Sequence, residues 1–475
     1  MNRTIQTQPH FGRTRHIHMV GIGGIGMSGI AEILLLRGYK VSGSDGQLSE
    51  TTERLQDLGA TVWKGHKASQ IEGADVVVYT SAVQEDENVE TQAAIQQGIP
   101  VIKRAEMLAE LMRAKYGIGI AGTHGKTTTT TLTGHVVQDG RFDPTIIVGG
   151  RVHSFDKTNA VVGKGDILIV EADEFDRTFL RLSPSLAVIT NIEAEHLDIY
   201  NDLDDVKEAF VEFANKVPFY GAVVVCLDDP NVRSILPRLK RRIITYGMTP
   251  QADLRATDIR VNGYKSQFTV RWDGEKLGRI TLSVPGEHNI RNALAAVAVG
   301  LELQIPFEQI RAGLERFQGV FRRFQVKLER EGLTVIDDYA HHPTEVQATL
   351  RAARSGWPDR RIIAVFQPHL YSRTEAMAHE FGLSFSDAEM LFVTDVYPSR
   401  EAPIEGVTGE LIARKARETG HREVHYIEKK QDLPNEIQKH LRPGDLVITM
   451  GAGDIYKAAE TFVQQIMKSD DPHAA

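Results

Sequence analysis

The chain is poor in cysteine and in long apolar runs. Its single cysteine, Cys226, excludes a disulfide framework and a metal cluster held by thiolates. Cys226 lies in the apolar run AVVVCLDD, which favours a buried strand residue over a nucleophile. No apolar stretch approaches the roughly 20 residues of a membrane-spanning helix, and no signal peptide opens the chain. These absences predict a cytoplasmic protein with no membrane partner.

Positive charge is also scarce. Lys and Arg together number 55 against 63 Asp and Glu, which gives a formal net charge of −8. The densest basic stretch, PRLKRR at 237–242, is short, whereas nucleic-acid binders show a broad basic face. We therefore expect no nucleic-acid partner. An anionic substrate would have to be held by local cations, because the overall field is negative.

The 475 residues exceed what one hydrophobic core usually supports, so about three domains are expected. Short apolar strands alternate with amphipathic helices throughout, which predicts an α/β protein with mostly parallel sheets. Residues 257–286 differ, because alternating polarity and two turn signals predict an antiparallel meander there. We place the domains at 1–114 (Rossmann-like), 115–321 (P-loop ATPase-like with the meander) and 322–475 (Rossmann-like).

The stretch GIAGTHGKTTTTT at 119–131 is typical of a loop that cradles the phosphates of ATP. Gly122 and Gly125 would let backbone amides point at the anion, Lys126 would reach the β- and γ-phosphates, and Thr127 would ligate magnesium. Ile120 stands where the general pattern has its first glycine, so the match is a variant. The alternative is a glycine-rich turn that carries a lysine by chance.

Two acidic segments follow predicted buried strands. ILIVEADEFD supplies Glu171, Asp173, Glu174 and Asp176, and TNIEAEHLD supplies Glu193, Glu195, His196 and Asp198. Magnesium prefers hard oxygen ligands, so an acidic strand end beside a phosphate loop predicts a metal site. A histidine such as His196 is more often a solvated loop residue, but in this setting a metal or phosphate role is favoured.

A second glycine loop, GIGGIG, precedes the first by about a hundred residues. Gly21, Gly23 and Gly26 satisfy the dinucleotide fingerprint, and Asp45 ends the next predicted strand, where an acid would take a ribose hydroxyl. This is a fair NAD site by pattern. However, any nucleotide diphosphate with a ribose, including a UDP-sugar, fits the same geometry. The later GAGDIY at 451–456 is assigned a structural turn.

Eight blocks in this order resemble the Mur ligase family: GIGGIGMSGIAE, GTHGKTTTT, EADEFD, TNIEAEHLD, GEHNIRNA, DDYAHHPTEV, FQPHLYSRT and GAGDIY. They span residues 21–456. The resemblance implies a UDP-sugar domain, an ATP domain and an amino-acid domain. It also implies an ATP-dependent ligase of peptidoglycan precursor synthesis that joins L-alanine to the carboxylate of UDP-N-acetylmuramate. An acyl phosphate would be the intermediate, and the products would be UDP-N-acetylmuramoyl-L-alanine, ADP and phosphate.

The resemblance also implies roles for individual residues. The catalytic residues would be Lys126, Glu171 and His196, and the magnesium ligands Thr127, Glu171 and His196. The ATP contacts would be Gly122, Thr123, His124, Gly125, Lys126, Thr127, Thr128, Asn289, Asn292 and Arg322. We assign to the UDP-sugar Gly21, Gly23, Gly26, Asp45, His66 and Ser81. The alanine side would use Asp337, Tyr339, His341 and Arg373.

Several of these assignments have alternatives. Asn289 could be a helix N-cap, Arg323 could take the place of Arg322, and His341 with His342 could be a structural pair before Pro343. Leu370 stands where relatives often carry an arginine, which puts one substrate contact in doubt.

Three other functions compete with the alanine ligase. The nearest is a ligase that attaches a preformed peptide to the same sugar nucleotide. The others are an NAD-dependent dehydrogenase with an ATP-binding domain and a non-catalytic ATP sensor.

Overall fold

The structure is a computed structural model, and it describes residues 11–80, 82–149, 159–195, 199–330, 332–399 and 401–469. The chain divides into two compact units. The first comprises residues 1–257, 269–280 and 291–317, and the second comprises 258–268, 281–290 and 318–475.

The N-terminal part of the first unit is a five-stranded parallel sheet of order β3-β2-β1-β4-β5. Its elements are β1 (His16–Val20), α1 (Ile25–Leu36), β2 (Lys40–Asp45), α2 (Glu50–Asp57), β3 (Thr61–Lys64), β4 (Val76–Tyr79), α3 (Val89–Gln96), β5 (Val101–Lys103) and α4 (Arg104–Arg113). The chain order reverses between β1 and β4, and in parallel sheets ligands bind outside the carboxyl ends at such a point. The first glycine loop follows β1 and so lies there.

The middle of the chain builds a ten-stranded sheet of order β15-β14-β13-β12-β11-β10-β6-β9-β7-β8. Its first half contains β6 (Tyr116–Ala121), α5 (Lys126–Asp139), β7 (Thr145–Ile147), β8 (Ala160–Val161), β9 (Ile167–Glu171) and β10 (Leu186–Ile189). There follow α6 (Leu203–Asn215), β11 (Ala222–Cys226), α7 (Pro230–Ile235), β12 (Ile243–Gly247), β13 (Leu254–Asn262), β14 (Lys265–Trp272), β15 (Glu275–Leu282), α8 (Glu287–Glu302) and α9 (Phe307–Glu315).

The C-terminal sheet has six strands in the order β16-β17-β21-β18-β19-β20, all parallel except β16. Its elements are β16 (Gln325–Arg330), β17 (Leu333–Asp338), α10 (Pro343–Gly356), β18 (Ile362–Phe366), α11 (Tyr371–Ala376), α12 (Ala378–Leu383) and β19 (Met390–Thr394). The last are α13 (Gly409–Glu418), β20 (Val424–Ile427), α14 (Leu433–His440), β21 (Asp445–Met450) and α15 (Ile455–Ser469).

The core follows from the strand sequences. Central strands such as β4 (VVVY), β11 (AVVVC) and β18 (IIAVF) are buried along their whole length, as expected for parallel strands covered on both faces. The predicted three-part α/β fold with mostly parallel sheets is confirmed. Cys226 is a buried strand residue, as predicted. Within the described ranges, every helix is too short or too polar to cross a membrane.

Candidate functional site: two phosphate loops and a C-terminal cluster

The loop between β6 and α5 has the backbone of a phosphate cradle. Gly122 has φ +138° and Gly125 has φ +81°, and a β-carbon on Gly122 would lie 1.9 Å from Thr190 Oγ1. Neither position can therefore carry a side chain without strain. Ile120 is still inside β6, fully buried and in register with Val188, so the turn begins later than in the general pattern. This explains why no glycine is needed at Ile120.

The segment after β10 fixes this loop. Asn191 Oδ1 accepts a hydrogen bond from the His124 amide at 2.8 Å, and Thr123 Oγ1 accepts one from the Glu193 amide at 2.8 Å. Thr190 Oγ1 donates to the His124 carbonyl at 2.7 Å. The segment predicted as a second acidic strand end thus also sets the shape of the loop.

Lys126, the first residue of α5, is held by Glu174. Its ammonium donates to both Glu174 carboxylate oxygens at 2.9 and 2.7 Å, and to the carbonyls of Gly122 and Thr123 at 2.7 and 3.1 Å. Burial alone would lower the pKa of Lys126, but the carboxylates of Glu174 and Asp173 hold it above its ordinary value. Lys126 is therefore a fixed cation at the start of the helix.

Thr127 and Glu171 offer oxygen ligands side by side. Thr127 Oγ1 donates to Glu171 Oε1 at 2.9 Å, and the Gly149 amide donates to Glu171 Oε2 at 2.6 Å. Burial raises the pKa of Glu171, an effect that the Gly149 amide and the Lys126 charge oppose. A nearby cation stabilises the charged form of the buried Glu171 carboxylate. Together with the Thr127 hydroxyl, this carboxylate forms a set of oxygen ligands that suits magnesium.

Two asparagines lie on α8. Asn292 is buried and close to the loop, since a β-carbon on Gly125 would lie 2.6 Å from Asn292 Oδ1. Asn289 is also buried, and its Nδ2 donates to the Pro285 carbonyl at 2.7 Å. The N-cap alternative for Asn289 is wrong, because α8 begins earlier, at Glu287.

The first glycine loop lies at the switch point of the N-terminal sheet. Gly21 has φ +78°, and a β-carbon there would lie 2.6 Å from Thr80 Cγ2. Asp45 Oδ2 accepts a hydrogen bond from the Gly23 amide at 2.9 Å. Asp45 thus ties the end of β2 to the loop.

His66 is oriented by a buried carboxylate. Its Nδ1 lies 3.1 Å from Glu90 Oε2 and 2.8 Å from Ser44 Oγ. Glu90 is fully buried, and its second oxygen lies 3.6 Å from His18 Nε2. Burial would raise the pKa of Glu90, but the adjacent His18 imidazole and the hydrogen bond that Ser44 donates bring it below its ordinary value. The His66 ring is therefore fixed through Nδ1.

Arg322, in the second unit, is held by contacts within the fold. Its guanidinium donates to Asp337 Oδ2 at 3.0 Å and to the carbonyls of Gly451 and Gly453 at 2.6 and 3.0 Å. The rings of Tyr339 and Tyr456 lie 5.1 and 4.8 Å from the guanidinium carbon. The loop GAGDIY is thus an anchoring turn for Arg322, and the three bonds use three of the five N–H groups of the guanidinium.

Asp337 is fully buried and also accepts from Thr449 Oγ1 at 2.8 Å. Burial raises its pKa, and Arg322 opposes the rise.

His341 Nδ1 lies 3.0 Å from the Tyr339 carbonyl and 3.1 Å from Glu345 Oε2, so this histidine is held within its own turn. Arg373 lies partly buried in α11, whose preceding residue Leu370 has φ +70°.

His196 and Ser81 lie outside the described residues. The remaining residues predicted for the ATP site fall on the β6–α5 loop, the start of α5, the end of β9 and α8. Asn289 and Arg322 belong to the second unit, and the others belong to the first. The described residues predicted for the UDP-sugar lie at the carboxyl ends of β1, β2 and β3 and in the first turn of α1. Of those predicted for alanine, Asp337 lies in β17, Tyr339 and His341 follow it, and Arg373 lies in α11.

Three descriptions from one family cover the chain in order. "Mur ligase family, catalytic domain" matches residues 16–116, "Mur ligase middle domain" matches 120–300, and "Mur ligase, glutamate ligase domain" matches 322–453. The chain belongs to the Mur ligase family.

Individual relatives extend over the whole chain. A UDP-N-acetylmuramate–L-alanine ligase of Salinibacter ruber is 59% identical over 460 residues, which is 97% of each chain. The crystal structure of a UDP-N-acetylmuramate–alanine ligase from Thermotoga maritima is 29% identical, with TM-score 0.79, covering 96% of this chain and 100% of the other. A murein peptide ligase from Psychrobacter arcticus shares the fold at 23% identity, with TM-score 0.67, covering 95% and 98%.

Sequence reasoning missed two features of this Mur ligase. The pairing of Lys126 with Glu174 was not predicted, although Glu174 stood in the quoted acidic segment. Arg104 was not considered at all, because the stretch IPVIKR, which was predicted to be a strand, carries no motif. Its guanidinium packs on Gly26, the third glycine of the first loop.

Proposed function

We propose that the protein joins L-alanine to the carboxylate of UDP-N-acetylmuramate, with ATP converted to ADP and phosphate. The observation that carries this proposal is the 59% identity along 97% of both chains to a relative named for that reaction. The geometry supports it, because two phosphate-binding loops lie at carboxyl ends of parallel strands, one in each of the first two sheets. The first glycine loop would bind the UDP-sugar and the second would bind ATP, so NAD is not needed to explain the first loop. We expect the reaction to occur in the cytoplasm, as the sequence predicts.

A carboxylate is a poor electrophile, so the reaction needs activation. The muramyl carboxylate oxygen attacks the γ-phosphorus of ATP, ADP leaves, and an acyl phosphate forms. The neutral amine of alanine then attacks the acyl carbon and phosphate departs from the tetrahedral intermediate. Positioned cations make the first step possible, because two anions must approach each other.

Lys126 supplies the fixed cation for this step. Its ammonium already lies at the N-terminus of α5, where the loop amides of Gly125 and its neighbours can meet phosphate oxygens. Glu174 keeps Lys126 charged and in place. Phosphate oxygens can take over hydrogen bonds that the Gly122 and Thr123 carbonyls now accept, so Lys126 need not leave Glu174 to bind ATP.

Magnesium would be held by Thr127 and Glu171, whose oxygens lie together at the end of β9. The ion would supply charge neutralisation to the nucleotide phosphates. His196 stays a proposed further ligand. Gly149 positions the Glu171 carboxylate by its amide.

On the alanine side, Tyr339, His341 and Arg373 remain the proposed contacts. A guanidinium such as that of Arg373 suits the carboxylate of an amino acid. We assign Asp337 and Arg322 to holding this region in shape, because each is bonded to the other and to neighbouring chain segments.

Phosphate release from ATP tests the function. The assay contains magnesium and UDP-N-acetylmuramate, and L-alanine, glycine, L-serine or the preformed peptide is added in turn. Release that needs both the sugar nucleotide and L-alanine is the expected result. Dependence on the peptide would replace the proposal by its nearest rival. Nucleotide binding without release under any condition would favour a sensor, and thermal stabilisation by NAD but not by the UDP-sugar would favour a dehydrogenase.

A further inference from the structure

Arg104 lies directly on the first glycine loop. A β-carbon built on Gly26 would meet the Arg104 guanidinium, at 3.0 Å from Nη1 and 3.3 Å from Cζ, and Cδ at 3.2 Å. Gly26 does not have a positive φ, unlike Gly21, so its backbone would accept other residues. The third glycine of this fingerprint thus leaves room for the Arg104 guanidinium to lie against the loop.

The charge of Arg104 is not neutralised within the part of the chain that the structure describes. No hydrogen bond or ion pair of its side chain is found there, and the same holds for the side chain of Lys103. Glu106, the acid in the first turn of α4, lies 3.3 Å from Arg181 instead. Arg104 is the first residue of α4, where the helix dipole disfavours a cation. A bound anion at this position would be stabilised by both the dipole and the arginine.

The Asp45 carboxylate lies against the same loop. Asp45 is bonded to the Gly23 amide and therefore brings negative charge to the loop that should receive a diphosphate. A diphosphate beside Asp45 needs a compensating cation, and Arg104 is in contact with the same loop. Its planar group can donate two parallel hydrogen bonds to phosphate oxygens.

A cavity of about 420 Å³ adjoins Arg104 in the first unit. Its lining includes Tyr79, Glu85, Lys103, Arg104 and Thr178. The volume falls within the usual range of small-molecule sites, about 300–1,000 Å³. The cavity runs from the ends of β4 and β5 to the 3₁₀ helix Phe175–Arg181, which follows Glu174, the partner of Lys126.

We propose that Arg104 binds the diphosphate of the sugar nucleotide over Gly26, and that the cavity beside it receives the sugar. The inference rests on the proposed function and adds to it the residue that holds the substrate's charge. A sugar in this cavity extends from the first glycine loop toward the segment that carries Glu174. Tyr79 and Glu85, which hydrogen-bond to each other, present further polar atoms to the hydroxyl and amide groups of an amino sugar.

The test compares Arg104→Gln and Arg104→Lys with Arg113→Gln, a control on the same helix whose arginine is exposed and paired with Glu110. Dissociation constants are measured calorimetrically for UDP, UMP and UDP-N-acetylmuramate. We expect Arg104→Gln to weaken UDP and UDP-N-acetylmuramate binding by about 10- to 100-fold, the range for a hydrogen bond to a charged group. UMP should be affected less, Arg104→Lys should fall in between, and Arg113→Gln should bind like the wild type.

If Arg104 had only a structural role, Arg104→Gln would weaken the binding of all three ligands equally or lower the unfolding temperature. Either result, without a larger loss of UDP binding than of UMP binding, would overturn the proposal. Unchanged UDP binding by Arg104→Gln would overturn it as well. Failure of the proposed ligase function would appear in the phosphate-release assay instead. The wild-type protein would then bind the UDP-sugar but release no phosphate when alanine is added. A wild type that binds no uridine nucleotide would overturn both.

Discussion

At the scale of single residues, Lys126 is central to the proposed reaction. It is the cation of the loop that we propose binds ATP, and it is fixed by Glu174 and two loop carbonyls. We expect Lys126→Met to reduce turnover by about 10²- to 10³-fold or more, because a preorganised charge facing the transferred phosphoryl group is lost. Steady-state phosphate release measures this. Lys439→Met, which removes an exposed lysine paired with Glu436, is the control and should retain full activity. Turnover near wild type in Lys126→Met would remove the lysine from the mechanism.

His135 predicts a pH dependence of stability. It is buried in α5 against Phe317, with ring centroids 6.1 Å apart, and burial, aided by Arg316, lowers its pKa to about 4. The unfolded state, with an ordinary pKa near 6.5, binds a proton more readily than the folded state does. This contribution to the free energy of unfolding is therefore fully present above pH 6.5 and is lost as the pH falls toward 4.

Between pH 7.5 and pH 5 the wild type should lose about 2 kcal/mol through this group. Urea unfolding of His135→Phe at the two pH values should show a decrease smaller by that amount. His379→Phe, at an exposed position, should keep the pH dependence of the wild type. An equal pH dependence in His135→Phe and the wild type would mean that His135 is not buried in its neutral form.

At the scale of elements, the β6–α5 turn depends on Gly125. Gly125 and Gly38 both have positive φ, +81° and +85°, but only Gly125 is crowded, by Asn292. Gly38→Ala should cost about 1–2 kcal/mol from the backbone alone. Gly125→Ala should cost more and should also weaken ATP binding, because either the turn or Asn292 has to move. Urea unfolding and ATP titration of the two variants measure both effects. Equal losses of stability with unchanged ATP affinity would show that the contact with Asn292 is unimportant.

The elements also show what sequence can and cannot predict. The strand–loop–helix around Lys126 was predictable, because glycine spacing, a preceding apolar strand and a following helix are all local. The start of α8 was not, and the N-cap alternative for Asn289 failed because the helix begins at Glu287. Contacts between distant segments, such as Gly26 with Arg104, left no local signal. Arg322 was predicted to face phosphate, but its contacts with Gly451 and Gly453 depend on the tertiary fold.

At the scale of the whole molecule, three mostly parallel sheets each present carboxyl strand ends that carry polar loops. The five-stranded sheet and most of the ten-stranded sheet lie in one compact unit and share an apolar core, so the two glycine loops belong to one body. The predicted domain boundaries at 114 and 321 stay predictions. We propose one sheet for each substrate of the reaction: the N-terminal sheet for the UDP-sugar, the middle sheet for ATP and the C-terminal sheet for the amino acid.

The central claim is that the muramyl carboxylate is activated by phosphorylation. The most direct measurement uses UDP-N-acetylmuramate labelled with ¹⁸O in its carboxylate, together with ATP, magnesium and L-alanine. In the acyl-phosphate route the bridging carboxylate oxygen leaves with phosphate when the amine attacks. Mass spectrometry should therefore find one ¹⁸O atom in the released phosphate and one in the amide. Product formed with unlabelled phosphate would contradict the account.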